Sequence, residues 1–135
     1  MKRKLKIFDA IKFKEKRLEL KLITLYIMAF FYTFAGIMHF VNPKFFLRIV
    51  PPFLPMKLML VYLSGVAEII LGIALIPEAT RNLAAWGVIA LLLAVFPANI
   101  YHFTSKGAGM KIPLWLLALR LPIQFLLIAW AWLYT

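Results

Sequence analysis

Four long apolar stretches dominate the chain, at about Leu22–Val41, Leu58–Ile76, Leu83–Phe103 and Ile112–Tyr134. Each is close to the roughly 20 residues that a helix needs to cross the hydrocarbon core of a bilayer. Their hydrophobicity runs all round the helix rather than along one face, which marks membrane spans rather than helices at the surface of a soluble core. The pattern predicts an all-α, integral membrane four-helix bundle, residues 22–135, behind a separate leader at 1–21. The connection Asn42–Lys57 has its own signals. Asn42-Pro43 reads as a helix start with proline in the first turn. Phe45, Phe46, Ile49 and Val50 give that helix an apolar side, and Pro51, Pro52 and Pro55 end it. A short interfacial segment is expected there, lying as a lid over the mouth of the bundle.

Composition supports the membrane assignment. Hydrophobic residues make up 64% of the 135 and charged residues 16%, against about 45–50% and about 25% in soluble domains. That excess excludes an ordinary soluble protein. The absence of cysteine excludes disulfides, thiol catalysis and cysteine metal clusters.

A net charge of +11 would point to nucleic acid if it covered a folded surface. Instead, nine of the sixteen Lys and Arg residues precede position 22, with Asp9, Glu15 and Glu19 among them. No nucleic-acid partner is expected. The leader reads as part of an uncleaved signal anchor, because a full span follows it and no small-residue cleavage pattern closes that span. Positive charge ahead of the first span puts the N-terminus in the cytoplasm, and four spans return the C-terminus there. The expected location is the inner (cytoplasmic) membrane, multi-pass. Lys44, Arg48, Lys57, Lys106 and Lys111 then lie in outer loops, with Glu78 and Arg81 in the inner loop. Ile7, Phe8, Ile11 and Leu18 share roughly one helical face. The leader therefore reads either as an amphipathic helix on an anionic leaflet or as a basic topogenic tail.

Two charges remain inside the spans, Glu68 and Arg120. Each costs about 2.5–3.5 kcal/mol at a span centre on insertion scales, so they are expected to be partners. Such residues mark either a ligand site or an ion pair that fixes helix packing. The other polar interruptions are His39, Ser64, Asn99, His102 and Gln124. At 1.5 Å per residue, Glu68 lies roughly 15 Å and Arg120 roughly 12 Å below the outer ends of their spans. Helical side chains lean toward their own N-terminus. Glu68 and Arg120 therefore lean outward, while His39, Asn99 and His102, on spans of opposite direction, lean inward. The pairs Ser64/Glu68, Arg120/Gln124 and Asn99/His102 each share a face. A polar pocket between the helices, open toward the outer side, is predicted. No metal site is assigned, because the Glu68 backbone falls roughly 10 Å deeper than either histidine. Pro97 and Pro122 stand beside this region. Ala35-Gly-Ile-Met-His-Phe40 recurs as Ala98-Asn-Ile-Tyr-His-Phe103, a hint of duplicated hairpins that chance explains equally well.

Several motifs resemble the DoxX family of small four-helix membrane proteins. They are Ala35-Gly36 with His39-Phe40 and Pro43, then Pro51-Pro-Phe-Leu-Pro55. Ser64-Gly65 with Glu68 and Gly72 and Thr80-Arg81 follow, then Pro97-Ala-Asn99 and Arg120-Leu-Pro-Ile-Gln124. The resemblance covers about Ala29 to Thr135. It implies a membrane protein linked to redox complexes, some relatives being subunits of a thiosulfate:quinone oxidoreductase and a eukaryotic branch assisting receptor assembly. The expected function is a quinone- or lipid-binding accessory subunit of a membrane redox complex. Glu68 and Arg120 would anchor a non-covalent lipophile, and a partner protein would supply the electrons. The alternatives are an assembly factor or scaffold with a purely structural Glu–Arg pair and, more weakly, a small transporter. Membrane lipids and a second copy of the chain complete the expected partners.

Overall fold

A computed structural model describes residues 1–135. The chain is all-α, with α1 (Lys2–Val41), α2 (Pro43–Ile49), α3 (Lys57–Ala74), α4 (Glu78–Thr104) and α5 (Leu114–Trp132), and no sheet. Helices α1, α3, α4 and α5 are long and apolar enough to cross a membrane. The fifth, α2, is the short helix of the first connection. Its proline sits in the first turn, where a missing N–H costs no hydrogen bond. Asn42 does not cap it through its side chain; its backbone N–H instead closes α1 on the Met38 carbonyl at 2.9 Å.

The leader is continuous with the first span. Helix α1 runs for 40 residues without a break, about 60 Å, or roughly twice the thickness of a hydrocarbon core. Residues 1–23 are exposed throughout, so this arm projects beyond the bundle.

Helices α1 and α3 pack antiparallel through small residues. A Cβ on Gly36 would stand 2.6 Å from the Gly65 carbonyl oxygen, and one on Gly65 would stand 2.7 Å from the His39 Cβ. Further along the seam, Gly72 lies against Ala29 and Thr33. Small residues let membrane helices approach backbone to backbone, where dispersion and packing replace the missing hydrophobic drive. The α3–α4 turn is held by side chains. Thr80 Oγ1 donates to the Ala74 carbonyl at 2.6 Å, and Arg81 donates to those of Leu75 and Ile76 at 3.1 and 2.8 Å. These are carbonyls that the end of α3 leaves without helical partners. Beyond α4 the chain turns through left-handed backbone at Lys106, Gly107, Ala108 and Gly109. At Gly107 a Cβ would also stand 2.8 Å from the Met110 carbonyl oxygen.

The buried core lies at the end of the bundle away from α2. Leu25, Met28 and Tyr32 of α1 meet Ala85, Val88 and Leu92 of α4 there, with Leu75 and Ala131. Tyr134 ties this end together: its hydroxyl donates to the Lys21 carbonyl, contacts Thr24 Oγ1 at 2.6 Å and accepts from the Trp130 indole. The α1 backbone packs on α2 and α3 but makes no close approach to α4 or α5. Large apolar side chains such as Phe30, Leu83 and Leu126 face outward, while Gln124, His39 and His102 are buried. This inversion suits a lipid surround, in which outward apolar groups cost nothing and inward polar groups need protein partners.

Candidate functional site

The half of the bundle next to α2 carries an open cavity of about 690 Å3, within the range of small-molecule sites. Its wall is mostly apolar, and Tyr32, His39, Ser64, Glu68, Asn99 and Arg120 supply the polar groups. Phe46, Ile49 and the segment through Leu54 close it from the α2 side. Gln124 and His102 sit behind the wall and hold other members in place.

One polar group belongs to the α1–α3 pair. The Gly36–Gly65 contact sets the level of these two helices. Because Gly36 faces both Gly65 and Ile69, the Glu68 backbone stands level with Ala35. It is offset from His39 by only about 6 Å, four residues of rise. The opposite lean of the two side chains closes that distance, and His39 Nδ1 lies 3.5 Å from Glu68 Oε2. The Nδ1 proton is directed to the Ala35 carbonyl at 2.9 Å. Glu68 Oε2 is therefore buried with no hydrogen-bond donor, and so is the Tyr32 hydroxyl on the same wall with no partner at all. The His39 ring stacks on Phe46 of α2 with centroids 3.7 Å apart.

The other polar group belongs to the α4–α5 pair and is a chain of hydrogen bonds. Arg120 donates to His102 Nδ1 at 2.6 Å and to Asn99 Oδ1 at 3.2 Å. Asn99 donates through Nδ2 to Gln124 Oε1, and Gln124 donates through Nε2 to the Leu92 carbonyl. A guanidinium only donates, so His102 Nδ1 is the acceptor and its proton sits on Nε2. That Nε2 is buried without a partner. The spacing of 99 and 102 on α4 and of 120 and 124 on α5 puts these side chains on facing stripes.

Glu68 and Arg120 line the same cavity but do not form the expected ion pair; the acidic side chain has only His39 within bridging distance. Each charge instead meets a neighbour in its own helix pair, Glu68 beside His39 of α1 and Arg120 bonded to His102 and Asn99 of α4. Sequence reasoning passed over Tyr32, and it named Phe46 only for the apolar side of the first connection, not for its contact with His39. Tyr32 carries a readable signal, lying seven residues before His39 and so on the same face of α1. Phe46 does not, because only the position of α2 brings it onto the histidine. The two histidines of the repeated hexapeptide both flank α2, His102 meeting Phe45 edge-on with centroids 6.5 Å apart.

The fold and cavity thus define an α-helical bundle with four candidate spans and an amphipathic pocket between its two hairpins. The chain belongs to the family described as Domain of unknown function (DUF8561), which matches residues 28–135. This overturns the DoxX resemblance drawn from the sequence. The residues that carried it are largely those that any such bundle needs: glycines at a close helix seam, caps at a tight turn and polar side chains facing inward. No curated protein and no solved structure matches the chain.

Proposed function

We propose that this is a multi-pass inner-membrane protein, both termini cytoplasmic, whose cavity holds a membrane-borne lipophile by its polar head. The observation that supports it most is an apolar cavity of about 690 Å3 whose wall carries two charged side chains, Glu68 and Arg120, with no ion pair between them. An unpaired charge in an apolar site is costly, and a bound polar head group relieves that cost. The positive arm of α1 favours a cytoplasmic N-terminus, which puts α2 and the cavity on the outer side. A lipid or a quinone meets the description. The chain's place in a redox complex rested on the family resemblance and is not carried forward.

Mass spectrometry of the organic extract, from protein purified in mild detergent, tests the reading. A lipophile in stoichiometric amount, lost in Glu68→Gln, is the expected result. Only bulk lipid in both proteins would overturn it and favour a scaffold. That alternative has lost its Glu68–Arg120 pair, since neither residue bonds the other.

A further inference from the structure

Resting on the lipophile reading above, we propose that the cavity selects a head group carrying both an anion and a primary ammonium, the chemistry of an ethanolamine phospholipid. Two observations carry this. The first is the separation of charge. Glu68 stands on the α3 wall and Arg120 on the α5 wall of one cavity, and they are not paired. Arg120 hydrogen-bonds only to His102 and Asn99, and its positive charge forms no bridge to a carboxylate. An isolated charge in a low-dielectric site is costly until a counter-charge arrives. A purely anionic head would satisfy Arg120 but add repulsion at Glu68, and a purely cationic head would do the reverse. A zwitterion compensates both.

The second observation is the missing donor. The Glu68 carboxylate lines the cavity and accepts no hydrogen bond, because the nearby His39 Nδ1, at 3.5 Å, is committed to the Ala35 carbonyl. Glu68 therefore calls for a group with N–H, and an ammonium donates up to three such bonds whereas a trimethylammonium donates none. At the other wall, the phosphate would accept from the remaining Arg120 N–H groups. Fork-shaped guanidinium groups suit phosphate oxygens. The acyl chains would lie along apolar lining such as Leu63, Leu91 and Leu127.

The test is native mass spectrometry of the full chain in micelles containing equal amounts of dioleoyl-phosphatidylethanolamine, its N-methyl, N,N-dimethyl and choline forms, and dioleoyl-phosphatidylglycerol. The ethanolamine lipid should be retained one-to-one, at least about tenfold over the choline and glycerol lipids, with retention falling at each added methyl. Glu68→Gln should erase the preference for the ethanolamine form while lipid is still bound. Arg120→Gln should lower retention of all five. The methylation series needs only wild-type protein, so it decides the matter even if a variant does not fold. One lipid held without regard to the ammonium would overturn the zwitterion and leave the lipophile reading standing. No retained lipid at all would overturn both. Soluble glycerophosphoethanolamine should not displace the lipid; displacement at equal concentration would make the ligand a water-soluble zwitterion and overturn the lipid assignment.

Discussion

Gly36→Ala is the sharpest perturbation of the fold that holds the site. Its new Cβ would stand 2.6 Å from the Gly65 carbonyl oxygen and 2.9 Å from the Ile69 amide nitrogen, both backbone atoms of α3. No side-chain rotation relieves this, so α3 must retreat by about 0.8 Å to reach the 3.4 Å of ordinary contact. A radial gap of 0.5–1 Å forfeits roughly a quarter to a half of each dispersion well it crosses. Overpacking of this kind costs about 1–3 kcal/mol. Against it stands the gain in helix propensity, about 1 kcal/mol for Gly to Ala. The net expectation is a loss of up to about 2 kcal/mol. Gly87→Ala is the matched control. Its Cβ meets the tip of the Leu71 side chain, which can rotate away, so the propensity gain is retained and the change is neutral or stabilising by up to about 1 kcal/mol. Unfolding by sodium dodecyl sulfate titration, followed by tryptophan fluorescence, measures both. The two variants should differ by about 2 kcal/mol. Equal stabilities would refute the claim that backbone contact at Gly36 sets the α1–α3 seam. Since His39 and Glu68 meet across that seam, Gly36→Ala should also lower occupancy of the cavity, and Gly87→Ala should not.

Three further changes separate the remaining parts of the fold. Tyr134→Phe removes the hydroxyl that joins Lys21, Thr24 and Trp130; a loss of about 0.5–1.5 kcal/mol and faster hydrogen exchange confined to residues near 24 and 134 should follow. Gln124→Leu leaves the Asn99 amide and the Leu92 carbonyl without their partner, and the same titration should show a loss of about 1–3 kcal/mol, with Arg120 less well held. Arg81→Ala uncaps the carbonyls of Leu75 and Ile76; a destabilisation of about 1–3 kcal/mol with unchanged ligand retention is expected, because the turn is remote from the cavity.

The sequence by itself determined the helical class, the four candidate spans and the short helix of the first connection. Those properties follow from local composition: a run of about 20 apolar residues can satisfy its backbone in lipid only as a helix, and proline at the start of a short amphipathic segment is a local signal. It also singled out the polar residues that interrupt the spans, since each is costly wherever it lies. Which of them meet was a tertiary matter. Glu68 and Arg120, the obvious pair by charge, line one cavity without pairing, while Glu68 reaches His39 because Gly36 and Gly65 bring two backbones together. The order of the motifs along the chain suggested a family that the chain does not belong to, because packing requirements alone reproduce such patterns. The clasp at Tyr134 and the contact of Phe46 with His39 depend on where whole helices sit. That placement arises from the sum of many side-chain contacts along each seam, which no single stretch of sequence encodes.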